Sequence, residues 1–450
     1  MVMNREAARV QRTYLTLILF TTLAASLIWG INTLFLLDAG LNNFEAFAAN
    51  AFFTAGMMLF EVPTGVVADL RGRRASFLLG SLTLTISTLA YVLMWSVHAP
   101  FWAWAAVSVV IGLGFTFFSG AVEAWLVDAL RHCGYDGALD PVFAKGQAVQ
   151  GAAMLSGSVL GGVIAQATNL GVPFVVRSAL LALTFVIAFL SMRDLGFTPV
   201  RGKKPGPEVT RIFNDSLRYG LGRPPVRWVM LTSPFVGGVG IYAFYAMQPY
   251  LLELYGDAGA YGIAGLAAAI VAGAQIVGGL SAPRLRLLFR RRTSLMLVAA
   301  AISVAALLLV ALVASFWVVV GLLVLWSLAD AVTMPVRQAY LNDLIPSQQR
   351  ATVLSFDSLL SSGGGVVVQP AFGRVADVSG YALTFGLSAG VQALAIPFLW
   401  LAQRTGVSAD EIVPPVAEVP SPPCLPPTPG SPPHDGQAAG EAARGPSPTR

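Results

Sequence analysis

Four carboxylates stand inside long apolar runs of this sequence: Glu61, Glu123, Asp330 and Asp357. An ionisable group among apolar residues is expensive to keep charged, so each is a functional candidate by default. A carboxyl group in such a place can take up and release a proton. Glu61, Asp330 and Asp357 are therefore read as proton-coupling candidates, with Glu61 and Asp330 the deepest in their runs. All four acids map to the same half of their segments, where one shared vestibule would bring them together. The competing reading for each is structural ion pairing, with Arg337 as the nearest cation for Asp357.

Charge is densest in Gly65-Val-Val-Ala-Asp69-Leu-Arg-Gly72-Arg73-Arg74, a turn between two oily runs in a chain that is only 11% charged. Such a turn anchors two helices at a water interface. It also offers a candidate gate, because ion pairs made in one conformation and broken in another bias an equilibrium between them. Gly65 and Gly72, lacking a Cβ, suit close packing and a tight turn. Asp69 can pair with arginines or face the positive end of another helix. Glu123 and Asp128 belong to the same candidate gate, together with Arg73 and Arg74.

Trp29, Asn32, Tyr242, Tyr245, Gln248 and Gln275 are the aromatic and amide side chains most suited to line a cavity, with Arg337 as its main basic group. An apolar cavity with a few polar groups takes small amphiphilic molecules better than phosphates or sugars. Interfacial anchoring is the alternative for tyrosine and tryptophan. The sequence carries no nucleotide P-loop, zinc motif or catalytic triad. Gly237-Gly-Val-Gly240 lies in an apolar run with no strand before it, unlike a dinucleotide fingerprint. With only three histidines and two cysteines, neither a metal, a cofactor nor enzymatic chemistry is expected.

The elements that must hold these groups are membrane helices. The 450 residues are 56% hydrophobic, with a mean hydropathy of +0.70, whereas a soluble chain carries roughly 25% charged residues. A crossing takes about 20 apolar residues. Twelve spans are expected, at 13–37, 44–68, 75–97, 101–128, 143–167, 172–192, 227–251, 258–282, 294–314, 316–341, 352–376 and 381–403. The unbroken run from Leu295 to Leu328 is too long for one crossing of a core about 30 Å thick. It is divided near Ala314-Ser315-Phe316.

This arrangement places every basic residue except Arg177 and Arg374 on one side, the positive-inside pattern, with both termini cytoplasmic. It also accounts for the net charge of +5 without a nucleic-acid partner. Residues 1–12 then form a cytoplasmic N-terminus and 13–192 a first six-helix bundle. Residues 193–226 form a basic linker, in which VTRIFNDSLRYGL reads either as an amphipathic helix on the inner membrane surface or as plain linker, 227–403 a second bundle, and 404–450 a disordered Pro-rich tail.

The two bundles echo each other. Glu123-Ala-Trp-Leu-Val-Asp128 closes the fourth span, and Gln338-Ala-Tyr-Leu-Asn-Asp343 closes the tenth. Paired six-helix repeats put a substrate site at their interface. In this context the Gly65–Arg74 turn resembles the signature loop of the major facilitator superfamily: Gly65, Asp69, Gly72, Arg73 and Arg74 match, and Leu70 departs where the family prefers a basic residue. Ala153-Met-Leu-Ser-Gly157-Ser-Val-Leu-Gly161-Gly162 resembles a degenerate form of the family's antiporter signature, against which stands ordinary packing of small residues.

The resemblance implies an all-α polytopic fold of two six-helix pseudo-repeats and a latch role for Asp69 and Arg73. It also implies a monomeric secondary transporter of the plasma membrane working by alternating access. Proton-coupled efflux of a small amphiphilic compound is the expected activity, with protons the coupling ion. The rivals are uptake by symport and a non-transporting scaffold or receptor-like membrane protein.

Overall fold

A computed structural model describes residues 4–197, 217–347 and 349–412, all within one compact unit. The VTRIFNDSLRYGL segment falls mostly outside the described residues, as does the Pro-rich tail. Only Leu217–Leu221 of the former is described, as a short π-helical turn.

The described chain is almost entirely helical. The first half holds α1 (Arg5–Ser26), α2 (Asn32–Asp38), α3 (Asn43–Arg71), α4 (Arg73–Ser96), α5 (Phe101–Thr116), α6 (Ala121–His132), α7 (Asp140–Ala167) and α8 (Val172–Ser191). The second holds α9 (Pro224–Met230), α10 (Ser233–Tyr255), α11 (Tyr261–Leu285), α12 (Arg292–Leu312), α13 (Phe316–Leu344), α14 (Arg350–Ala393) and α15 (Ala395–Arg404).

Among the described residues, ten apolar segments are long enough to cross a membrane. One of them, Thr352–Arg404, contains two crossings divided at Gly380, whose φ of 78° lies outside the helical region. The long run before Leu328 breaks at residues 313–315, where division was expected. Helix α1 begins earlier than expected, at Arg5, because the Asn4 side chain caps it by accepting the Ala7 N–H at 2.7 Å.

The first crossing is not one helix. It unwinds between Ser26 and Asn32, a stretch crowded by the small face of α7: a Cβ at Gly157 would strike Ser26, and one at Gly161 would strike the Leu27 carbonyl. An unwound stretch frees backbone groups that must find partners away from water. Gln248 of α10 supplies them, accepting the Thr33 N–H at 2.9 Å and donating to the Trp29 carbonyl at 2.7 Å.

The two halves meet along two seams, α3 against α14 and α7 against α11. In the second seam Gly162 and Gly265 lie so close that a Cβ on either would meet the opposing backbone at 2.5 Å. The Gly157, Gly161 and Gly162 run thus serves close helix packing in this structure.

Ties between the halves gather at the end opposite the Gly65–Arg74 turn. The Gln166 side chain accepts the Gly262 N–H at 2.9 Å. Asp377 accepts the N–H groups of Asn43 and Phe44 at 2.8 and 2.9 Å. Tyr381 donates to the Asn43 side chain.

The pseudo-repeat extends to contacts that no motif announced. In the first half Asp194, three residues past the end of α8, accepts the backbone N–H of Arg74 in the first turn of α4 at 2.9 Å. In the second half Asp410, six residues past α15, accepts the N–H of Thr293 in the first turn of α12 at 2.8 Å. Both are carboxylates capping the second residue of a helix, where orphan N–H groups and the positive end of the dipole attract an anion.

Candidate functional site

A cavity of about 410 Å³ lies between the two halves. From the first half come Trp29 and Asn32 at the break in the first crossing, Asn50 and Phe53 on α3, Tyr91 on α4, and Phe115 on α5. The second half adds Phe244 and Tyr245 on α10 and Gln275 on α11. Four of the expected cavity residues, Trp29, Asn32, Tyr245 and Gln275, are therefore brought together. The rings are braced edge to face, Trp29 on Phe244 with centroids 5.9 Å apart and Phe53 on Phe115 at 5.5 Å. Asn32 donates to Asn50 at 3.0 Å.

Three expected cavity residues lie elsewhere. Tyr242 is fully buried on the seam, donating to Thr384 at 2.7 Å with its ring 4.8 Å from Phe47. Three residues along α10 from Tyr245, it points about 60° away from that side chain's direction, toward Phe47 and the core. Gln248 is occupied by the backbone of the unwound stretch. Arg337 lines a different cavity.

The wall also holds a residue that sequence reasoning put on the outer side of the membrane. Arg177 is 3% exposed and lines the central cavity, with its guanidinium 5.6 Å from the Phe115 ring centre. Its signal was present: Phe174, Arg177, Ser178 and Leu181 recur at helical spacing, and all are buried on one face of α8. Counting charges by loop side ignored that face.

The second cavity, of about 390 Å³, lies within the second half and contains Asp330, Arg337 and Asp357. Arg337 and Asp357 form a two-pronged ion pair at 2.6 and 2.7 Å, and Ser233 donates to Asp357 at 2.6 Å. Asp330 instead accepts from two neutral donors, Ser303 at 2.8 Å and Gln392 at 3.3 Å. Glu61 joins neither cavity. It is exposed and accepts from Ser119 at 2.8 Å, in the break between α5 and α6. The shared vestibule expected for the four acids is thus divided, because side chains from different faces of packed helices open into different spaces.

At the charged turn, Asp69 pairs with Arg73 at 3.0 Å. Arg74 donates to the Phe189 carbonyl at 2.8 Å and lies over the Phe189 ring. Gly72 sits at a φ of 98°, and a Cβ there would collide with Asp194. Gly65 has no neighbour for a Cβ to meet, so the close packing expected of it is not present here. Among the described residues, no ion pair joins Glu123 or Asp128 to the turn. The acid that reaches it is Asp194. In the second half the counterpart of Asp128, Asp343, does pair, with Arg292 at 2.6 Å.

An all-helical bundle with a cavity between two pseudo-repeats defines a multi-pass membrane carrier. The family model for the Major Facilitator Superfamily matches residues 14–289 and 262–423, and the chain belongs to that family. Its members are secondary transporters of small molecules, and generally not enzymes. No curated protein sequence matches this chain.

Among solved structures, the fold is similar to the nucleoside transporter NupG, with a TM-score of 0.70 and 10% identity over 88% of this chain and 99% of that one. It is similar to a bacterial homolog of the human lysosomal transporter Spinster in its inward-facing, unoccupied conformation. There the TM-score is 0.68, with 16% identity over 92% of this chain and 100% of that one. A D-xylose–proton symporter gives a TM-score of 0.62 and 15% identity, over 88% and 96%.

Proposed function

We propose that this chain is a proton-coupled exporter of small amphiphilic compounds, working by alternating access in the plasma membrane as a monomer with both termini cytoplasmic. The observation that carries the reading is the aromatic cavity between the halves, with ties between them at the end remote from the Gly65–Arg74 turn. Under the positive-inside assignment the turn faces the cytoplasm, so the remote ties form the outer gate. Asp69, Gly72, Arg73 and Arg74, together with Glu123 and Asp128, then belong to the inner gate in this reading, its contacts changing as the halves rock.

Proton coupling falls to Asp330 in this reading. It is the carboxylate in the second cavity whose partners there are neutral donors, Ser303 and Gln392. Asp357 already has its counter-charge in Arg337, and Glu61 is open to solvent. The test is flux in proteoliposomes under an imposed pH gradient, against a panel of lipophilic compounds. Expulsion that follows the gradient in the native protein and is lost in Asp330→Asn supports the reading. Flux indifferent to the gradient overturns proton coupling, and accumulation in the opposite direction replaces export by symport.

A further inference from the structure

Arg177 is a buried cation in the cavity wall, and its surroundings there contain no anion. Among the described residues lining that cavity it is the one charged side chain. Its ring contact is Phe115, and the ionisable groups beside it are the phenols of Tyr245 and Tyr91. Its Nε has no hydrogen-bond partner. Two further groups of the same wall are left without a partner, the Asn50 side-chain amide nitrogen and the Thr88 hydroxyl.

Buried polar groups are normally satisfied, and an orphaned set of this kind calls for an explanation. A buried charge is costlier still, and is ordinarily paired. Arg337 in the second cavity shows the ordinary arrangement, locked two-pronged onto Asp357. Arg177 departs from it in the wall of the cavity between the two halves.

We propose that the central cavity takes an organic monoanion, a carboxylate on an apolar or aromatic body, and that Arg177 binds its headgroup. The inference rests on reading this cavity as the substrate site. The guanidinium fork matches a carboxylate two-pronged. The apolar body of the ligand meets Trp29, Phe53 and Phe244. One cation with no acid in the wall balances one negative charge. A phosphate monoester, nearly doubly charged at neutral pH, leaves an excess, and a cationic amphiphile meets only repulsion.

The experiment measures binding to the purified full-length protein in nanodiscs, using three probes of one shape: naphthoate, naphthylmethanol and naphthylmethylammonium. The native protein is expected to bind naphthoate at least about tenfold more tightly than either other probe, the gain of a charge-assisted pair. Arg177→Gln should abolish that preference, bringing the naphthoate and naphthylmethanol affinities together, and Arg177→Lys should keep part of it.

Binding of the alcohol or the ammonium as tightly as naphthoate, no binding of naphthoate, or a preference that survives Arg177→Gln overturns the proposal. Should Arg177→Gln fail to fold, the native preference and the Arg177→Lys variant decide. Flux of the same probes in proteoliposomes is read separately. A preserved binding preference with no flux of any probe refutes the transport reading and leaves the anion site standing. Flux of the alcohol without any preference for the anion does the reverse.

Discussion

Asp377 caps the helix that begins at Asn43, and it does so from the other half of the molecule. One carboxylate oxygen accepts the Asn43 N–H at 2.8 Å and the other the Phe44 N–H at 2.9 Å. The cap uses orphan donors and the positive end of the α3 dipole, and it spans the seam that must part if this end of the carrier opens. A carboxylate from one half on a helix terminus of the other therefore helps to hold this end shut.

Replacing that carboxylate should shift the conformational balance and leave the fold intact. Asp377→Ala is expected to weaken closure of the remote end by about 1–2 kcal/mol, a typical cap and dipole contribution. Distances between spin labels on the two sides of the seam would show it as a larger open population. An unchanged distance distribution would mean that the other ties and the glycine seam keep this end closed without Asp377.

The paired caps at the opposite end predict a graded loss of stability. Asp410 is 2% exposed and takes both the N–H and the hydroxyl of Thr293, so Asp410→Ala should cost about 2–3 kcal/mol. Asp194→Ala, at an exposed cap, should cost about 1 kcal/mol. Gly72→Ala should destabilise too, through its positive φ and the Asp194 carboxylate. Thermal unfolding in detergent ranks the three; Asp194→Ala losing more than Asp410→Ala would contradict the role of burial.

Gln248 should behave as a structural residue. Gln248→Leu leaves the buried Thr33 N–H and the part-buried Trp29 carbonyl without this partner, at about 1–3 kcal/mol. The expected result is a lower unfolding temperature together with reduced binding of any cavity ligand, since Trp29 and Asn32 flank the same break. Full stability with altered ligand selectivity would instead return Gln248 to the cavity wall.

The two acids of the second cavity should separate cleanly. Asp357→Asn removes one partner of a largely buried ion pair and leaves Arg337 uncompensated, so a destabilisation of about 3–5 kcal/mol is expected. Asp330→Asn keeps an oxygen for Ser303 to donate to and should fold normally while losing gradient-driven flux. Equal stability of the two variants would argue against distinct roles.

Much was legible in the sequence because it depends on local chemistry. The length and apolarity of the runs set the crossings. A run too long for one membrane core had to break near Ser315, and the Gly65–Arg74 pattern located the charged turn. Membership of the cavity was legible only in part. Trp29, Asn32, Tyr245 and Gln275 line it, yet Tyr242, a turn from Tyr245, is buried in the seam. Within an apolar helix nearly every face is apolar, so periodicity does not say which face meets a neighbour, lipid or a void.

The sequence by itself therefore determined a membrane-embedded, two-fold repeated helical fold with nearly all its basic residues gathered at one end, since transfer energies act on each segment independently. Tertiary structure alone decided which of the rare interior charges find partners. Asp357 meets Arg337 from twenty residues away, Asp194 reaches α4 from beyond α8, and Arg177 faces a cavity with no carboxylate among the described residues that line it. Those outcomes depend on how helices rotate and break against one another, and no segment carries that information alone.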